Sequence, residues 1–381
     1  MDFTFSDDQL ALREVTRQFL AEHGGRAVQE ARAEPGGLDH ALWRRLTGEL
    51  GLAGLAVPEV FGGAGAGLLE IAIVVEELGA FLLPVPYLAS ALTAALLAEL
   101  AGGGAGTGAA AGTNFATDTD VAGGAGFAAK HLPGLADGSL IGALACAEVA
   151  AGGSPGVRLG AEGRLYGTAG HVLGGDVADV LLVAAASGDG VMLCGVRRDA
   201  PGLAVSVPPV LDPTRPQARI TFTGTPATPL GVDGRRAVEL LWTALAVESA
   251  GAARRCLSDT VDHLRRRRQF GRALGSFQAL KHRCADLAVE IESAVSTAYY
   301  AAWAAAESPE EAAVVAPLAK AHCADVFWHA AAESMQLHGG IGFTWEHDAH
   351  LYLKRAKSTQ LLYGAPAYLR GLVGRRAGIL R

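Results

Sequence analysis

Residues 265–283 read RRRRQFGRALGSFQALKHR: a run of four arginines leading into an aromatic residue and two spaced glycines, set between two long helical patterns. Guanidinium forks match phosphate oxygens, and glycines let a backbone come close to a ligand. The same run also works as a solvated basic helix end that complements the macrodipole, and on composition alone that plainer reading leads. Its neighbours carry the decision.

Downstream, MQLHGGIGF (335–343) places paired glycines after an amphipathic helix, which by itself is a C-cap and turn. Joined to the arginine run, it forms a candidate pyrophosphate seat. WEHDAHLYLKR (345–355) groups His347 and His350 with Glu346 and Asp348. No HExxH pattern or third-ligand spacing supports a metal there, and a polar helix start with Lys354 and Arg355 further on explains the segment. Upstream, Glu248 in ALAVESAGAARR is a lone carboxylate in an apolar helix. It is either an acid/base group, if buried, or an ion-pair partner of Arg254 or Arg255, neither of which sits at i+4.

The wider pattern is α+β. Residues 1–110 are predicted as a helical domain. Ser6 caps SDDQLALREVTRQFLAEHG, Gly24 ends it, and HALWRRLTGELG stops at Gly51. A Gly/Ala-rich stretch, 111–137, reads as a linker. Over 138–228 the chain turns to short β-branched or apolar runs broken by Gly, Pro and Asp, the signature of a small β domain. Residues 229–381 return to helices, predicted at about 235–268, 274–306, 309–337 and 346–373.

At 381 residues, two or three domains are expected. A net charge of −7 argues against a general nucleic-acid binder. The five cysteines form no CxxC pair, so neither a disulfide framework nor a zinc site is indicated. LPVPYLASALTAALLAEL (83–100) contains two prolines and a glutamate, so it reads as a buried helix and not a membrane span. The acidic N-terminus lacks an apolar signal region, and the expectation is a cytoplasmic protein.

In order and spacing, FSDDQLALREVTRQFLAEHG, LAGLAVPEVFGGAGAGLLEIAIVVEELG, LPGLADGSL, LDPTRPQARITF, RRQFGRALGSFQALKHRCADL and MQLHGGIGFTWEHDAHLYLKRA resemble the acyl-CoA dehydrogenase family nearly end to end. The resemblance implies an N-terminal helical domain, a middle β-barrel or sandwich and a C-terminal four-helix bundle, assembled as dimers or tetramers around FAD. It implies α,β-dehydrogenation of an acyl-CoA or acyl-carrier-protein thioester, with a glutamate removing the α proton while a hydride passes to the flavin. Two positions hold that glutamate in the family, and here they are Gly364, after Tyr363, and Leu241. Neither can take a proton. Glu248 lies two turns from Leu241, about 10 Å along the helix, and is the remaining carboxylate to weigh as a relocated base.

The resemblance also divides the cofactor contacts. Those a chain makes to its own flavin and thioester are altered: Ala147 precedes Glu148, Gly153 replaces a serine, His171-Val172-Leu173 replaces a Trp-containing strand, and Pro366 replaces a threonine. Those lent to a neighbour's FAD remain: Arg267, Gln269, Phe270, Gln278, Gln336, Gly339 and Gly340. His171, Tyr363 and Gly364 are the substrate-side candidates. This implies a chain that completes a related subunit's FAD site in a hetero-oligomer. The alternatives are a self-sufficient homo-oligomer using Glu248, a flavin-dependent tailoring oxygenase on the same scaffold, or a relative without flavin.

Overall fold

Ser6 and Gln9 start the first helix by exchanging bonds. The Ser6 hydroxyl accepts from the Gln9 N–H at 3.2 Å, and the Gln9 side chain accepts from the Ser6 N–H at 3.1 Å, which satisfies two otherwise orphaned donors. From there α1 (Asp7–Ala33) continues past Gly24, the predicted stop. The reason is contact: a Cβ at Gly24 would come within 3.3 Å of the Phe81 ring, so this glycine admits a neighbouring element and does not end its own helix. The chain, seen here as a computed structural model, is described over residues 4–33, 38–102, 118–188 and 190–380.

Three more helices complete the N-terminal part: α2 (His40–Arg44), α3 (Leu68–Phe81) and α4 (Tyr87–Ala101). Asp39 caps α2 by accepting from the Ala41 and Leu42 N–H groups. Among the described residues no helix is long and apolar enough to cross a membrane. The predicted linker is corrected by α5 (Asp118–Ala136), while residues 111–117 lie outside the described residues. Leu132 and Leu135 of α5 are buried. A Cβ at Gly124 would sit 2.6 Å from the Leu230 carbonyl. Small residues that look like low complexity in the sequence are here the condition for close packing.

The middle domain is one eight-stranded sheet. Its strands are β1 (Gly142–Ala145), β2 (Val157–Leu159), β3 (Arg164–Leu173), β4 (Val180–Ser187), β5 (Gly190–Arg197), β6 (Leu203–Ser206), β7 (Gln217–Pro226) and β8 (Thr228–Asp233), with α6 (Ala147–Ala150) after β1. The order is β6-β7-β3-β2-β4-β5-β8, with β1 added in parallel to β4. The β8 strand extends the sheet beyond the predicted boundary at residue 228.

The C-terminal bundle is α7 (Gly234–Arg266), the β9–β10 hairpin (Arg268–Gln269 and Arg272–Ala273), α8 (Gln278–Glu307), α9 (Pro309–His338), α10 (Ala349–Leu361) and α11 (Pro366–Arg376). The predicted fourth helix is therefore two. Tyr363 and Gly364 adopt left-handed backbone, φ 58° and 103°, and Pro366 opens α11 where its missing N–H costs nothing. Helices α3 and α7 cross at glycines: a Cβ at Gly251 would meet the Glu76 carbonyl at 2.0 Å, and one at Gly79 the Glu248 carbonyl at 2.3 Å. That crossing fixes the backbone of Glu248.

Candidate functional site

Arg267 caps α7, its N–H reaching the His263 carbonyl, and the chain then turns through the β9–β10 hairpin. Phe270 stands at the hairpin tip with φ 54°, followed by Gly271 at φ 76°. At the same end of the bundle, α9 finishes at His338 and Gly339 takes φ 65°, ψ −144°, a region open essentially to glycine alone. His263 and His338 are in ring contact, with centroids 4.4 Å apart. Arg267 and His338 line a shared polar cleft of about 540 Å³. A Cβ at Gly339 or Gly340 would meet nothing, so the backbone there is open to approach. Arg267 makes no ion pair among the described residues. Gln269, Phe270, Gln278 and Gln336 are exposed around this end without lining the cleft. Gly339 and Gly340 do not line the cleft either, but they follow His338 at its edge, and an unpaired guanidinium with open glycine backbone at the same end of the bundle fits a diphosphate, the anionic part of FAD.

The turn at Tyr363–Gly364 is the opposite case. The Tyr363 hydroxyl donates to the His171 carbonyl at 2.5 Å, and the Tyr363 carbonyl accepts from the Trp242 indole at 2.6 Å. Burial pushes the phenol well above its usual range, so it stays a donor. His171 itself sits at φ 51° in an irregular stretch of β3 and contacts the Gln217 side chain at 2.8 Å. These two substrate-side candidates are thus bound to each other. At Gly364 a Cβ would come within 2.9 Å of the Ala150 carbonyl, 3.0 Å of Leu369 and 3.3 Å of Tyr368. The Tyr368 ring also lies on Gly152, where a Cβ would meet it at 2.4 Å. Glu148 uses its carboxylate to accept from the Gly170 N–H at 2.8 Å. Residues 147–153 and the 363–364 turn therefore close on one tyrosine.

Glu248 is buried, and its partners are not the neighbours weighed from sequence. Arg254 pairs with Glu76 and Arg255 with Asp259. Glu248 instead accepts from Arg215 and, at 2.9 Å, from Arg355. Arg355 also binds Asp212 and donates to the Thr214 hydroxyl at 2.7 Å, while Arg215 donates to Thr359 at 3.0 Å. Burial works against the Asp212 charge, yet Arg355 and Arg215 outweigh it and hold that carboxyl below its usual range. The same burial and the neighbouring Arg355 pull Arg215 downward, from a start so high that a guanidinium touching Glu248 keeps its charge. Two cations and two carboxylates balance.

Beside this cluster lies a hollow of only about 60 Å³, walled by Leu83–Pro86, Leu173 and the ionic side chains. Ligand pockets are usually about 300–1,000 Å³, so this one holds a few waters. The cluster was only partly legible in sequence: Asp212 and Arg215 were visible in LDPTRP, but nothing placed them beside Glu248. His350 is buried against Trp345 and away from the cleft that His347 lines. Among the described residues no group of three or more His, Cys, Asp or Glu side chains is arranged to hold a metal.

Comparisons with known proteins agree with this architecture. The family model for the N-terminal domain of acyl-CoA dehydrogenases matches residues 6–105, and that for the C-terminal domain matches residues 242–378. Acyl-CoA dehydrogenase IpdE2 of Mycobacterium tuberculosis is 39% identical over 370 residues, 96% of each chain. Acyl-CoA dehydrogenase FadE34 of the same organism is 33% identical over 390 residues, which is 99% of this chain and 49% of that one. Among solved structures, a variant of the Tcur3481–Tcur3483 steroid ACAD superposes with a TM-score of 0.84 at 30% identity over 98% of both chains. The ChsE4–ChsE5 complex of Mycobacterium tuberculosis contains a chain at 0.84 and 27% identity, with both chains fully covered.

Proposed function

The chain belongs to the acyl-CoA dehydrogenase family, and we propose that it serves there as the base-lacking member of a pair, completing a related subunit's FAD site. When bound, FAD accepts the hydride in α,β-dehydrogenation of an acyl-CoA or acyl-carrier-protein thioester. This chain's part is to bring the Arg267 charge and the open backbone of Gly339 and Gly340 to the diphosphate. Gln269, Phe270, Gln278 and Gln336 frame the docking face.

The observation that carries this reading is the closed turn at residue 364: no carboxylate stands at 241 or 364, and a side chain at 364 would run into the Ala150 carbonyl and Tyr368. The open end supports it. Phe270 is 85% exposed, Phe343 81% and Trp345 64%, an apolar surface of the kind that another subunit covers. Two similar proteins point the same way. ChsE4–ChsE5 is a complex, and FadE34 has about twice the length this chain covers. Glu248 is a poor relocated base, because both of its carboxylate oxygens are already taken up by Arg215 and Arg355.

The test is to purify the chain alone and measure flavin absorbance together with mass by light scattering. The expected product is colourless or substoichiometric and gains flavin on co-expression with a sister chain. A yellow homo-oligomer carrying one FAD per chain and bleached by an acyl-CoA would overturn the reading. Glu248→Gln would then separate a relocated base, where bleaching is lost, from an oxygenase chemistry that needs none.

A further inference from the structure

We propose that the cleft at the ends of α7 and α9 binds a nucleotide diphosphate together with a proton, through His263, His338 and His347 acting beside Arg267. It rests on the reading above only for which diphosphate arrives.

Charge balance is the starting point. Arg255, Arg266 and Arg267 line the cleft with Asp259, Glu346 and Asp348, so with neutral histidines its formal charges cancel. A diphosphate diester brings two negative charges into that balance. The three histidines are placed to answer it: His338 lies between His263 and His347, its ring tilted against each at a centroid distance of 4.4 Å. The His338 Nδ1–H donates to the Ser334 carbonyl at 2.7 Å, which leaves Nε2 bare in the neutral ring. His347 Nδ1 accepts from the Ala349 N–H at 3.1 Å, so its proton sits on Nε2. The neutral trio therefore offers an N–H from His347, and protonating His338 adds another donor.

At rest His263 and His338 are biased towards their neutral forms. Burial, then His338, His347 and the two adjacent arginines, hold His263 below its usual range. Burial and His347 hold His338 down, against the Ser334 carbonyl bond and the Asp259 charge, which work upward. A bound dianion reverses the bias, because it favours the charged rings. Binding then takes up a proton, and affinity rises as pH falls.

The probe is ADP-ribose, a diphosphate diester whose own charge does not change over the range used. Calorimetry on the chain alone, in two buffers of different ionisation enthalpy, reads both affinity and proton uptake. Expected is binding roughly tenfold tighter at about pH 6.5 than at about pH 8, with net proton uptake. His338→Gln, which removes the ring that takes the proton, loses the pH slope and the uptake, and His263→Gln, at a partly exposed position, shrinks both while keeping the parent melting temperature. Binding with equal affinity at both pH values and no uptake overturns the proposal, as does absence of binding at both.

Failure here is separable from failure of the donor role, which Arg267→Ala tests through flavin retention in the assembled complex. If that variant keeps its flavin while ADP-ribose still binds with a proton, the donor role falls. The cleft then serves another nucleotide diphosphate, such as that of CoA. If the variant loses flavin and ADP-ribose binding is flat with pH, the donor role stands and the proton linkage does not.

Discussion

The two glycine-bearing turns of this chain have opposite surroundings. Gly339 and Gly340 stand in open space directly after His338, which lines a cleft with the unpaired Arg267, whereas Gly364 is wedged among Ala150, Leu369 and Tyr368. Both Gly339 and Gly364 take backbone conformations that favour glycine. At the first, the missing side chain leaves an approach for something from outside. At the second, it lets the chain pack against itself. Glycine in a sequence signals freedom or closeness equally well, and only the neighbours tell which. Here they separate an open face from one already covered by the chain's own residues.

The sharpest break of that contrast is at the closed region's anchor. Arg355 ties α10 to Asp212, Thr214 and Glu248 with almost no exposure. Arg355→Ala leaves two buried carboxylates short of a partner and is expected to cost about 3–5 kcal/mol in chemical denaturation. Arg267→Ala, on the open end, should leave the same denaturation curve nearly unmoved. Equal losses at the two sites would erase the distinction.

A smaller effect probes the closure directly. Gly364→Glu restores the family's carboxylate, but it forces a side chain onto left-handed backbone beside the Ala150 carbonyl. The expected cost is about 2–4 kcal/mol, with no acyl-CoA-dependent bleaching gained. A variant that melts like the parent and acquires turnover would show that only a carboxylate was missing.

Much of this was legible in the sequence, and the gaps have a common cause. The helical and β blocks followed from apolar period and turn residues, and Arg267 with Gly339 and Gly340 stood out as motifs. Helix α5 was missed because its alanines and glycines resemble a linker until Leu132 and Leu135 are seen buried. The break at Tyr363 was overrun because the apolar period resumes beyond Pro366. The partners of Glu248 were sought six and seven residues away, but Arg215 and Arg355 come from 33 and 107 positions off. Local spacing predicts local pairs. A buried ionic cluster is made by tertiary packing, and one sequence carries no record of that register.

The smallest expected effect lies in what holds the closed turn in place. Lys320, on α9, is fully buried and donates to the Gly364 carbonyl at 2.6 Å and the Gln360 carbonyl at 3.3 Å. Burial pulls it down to about 7, with Asp325 pulling weakly the other way. In the unfolded chain the amine keeps its ordinary value near 10.5. Between those values the unfolded state binds more protons than the folded one, so stability rises with pH across the window. Below pH 7 the cost of burying the charge is felt in full. Lys320→Met removes the titration but leaves two carbonyls short of a donor. At about pH 10, where the parent's amine is neutral, we expect its stability to differ from the parent's by only about 1–2 kcal/mol, with a flatter profile that moves in the variant's favour as pH falls towards about 7. Urea melts at several pH values check this. If parent and variant run parallel across the window, Lys320 is charged throughout, and the turn is held by a fixed ion and not by a neutral amine.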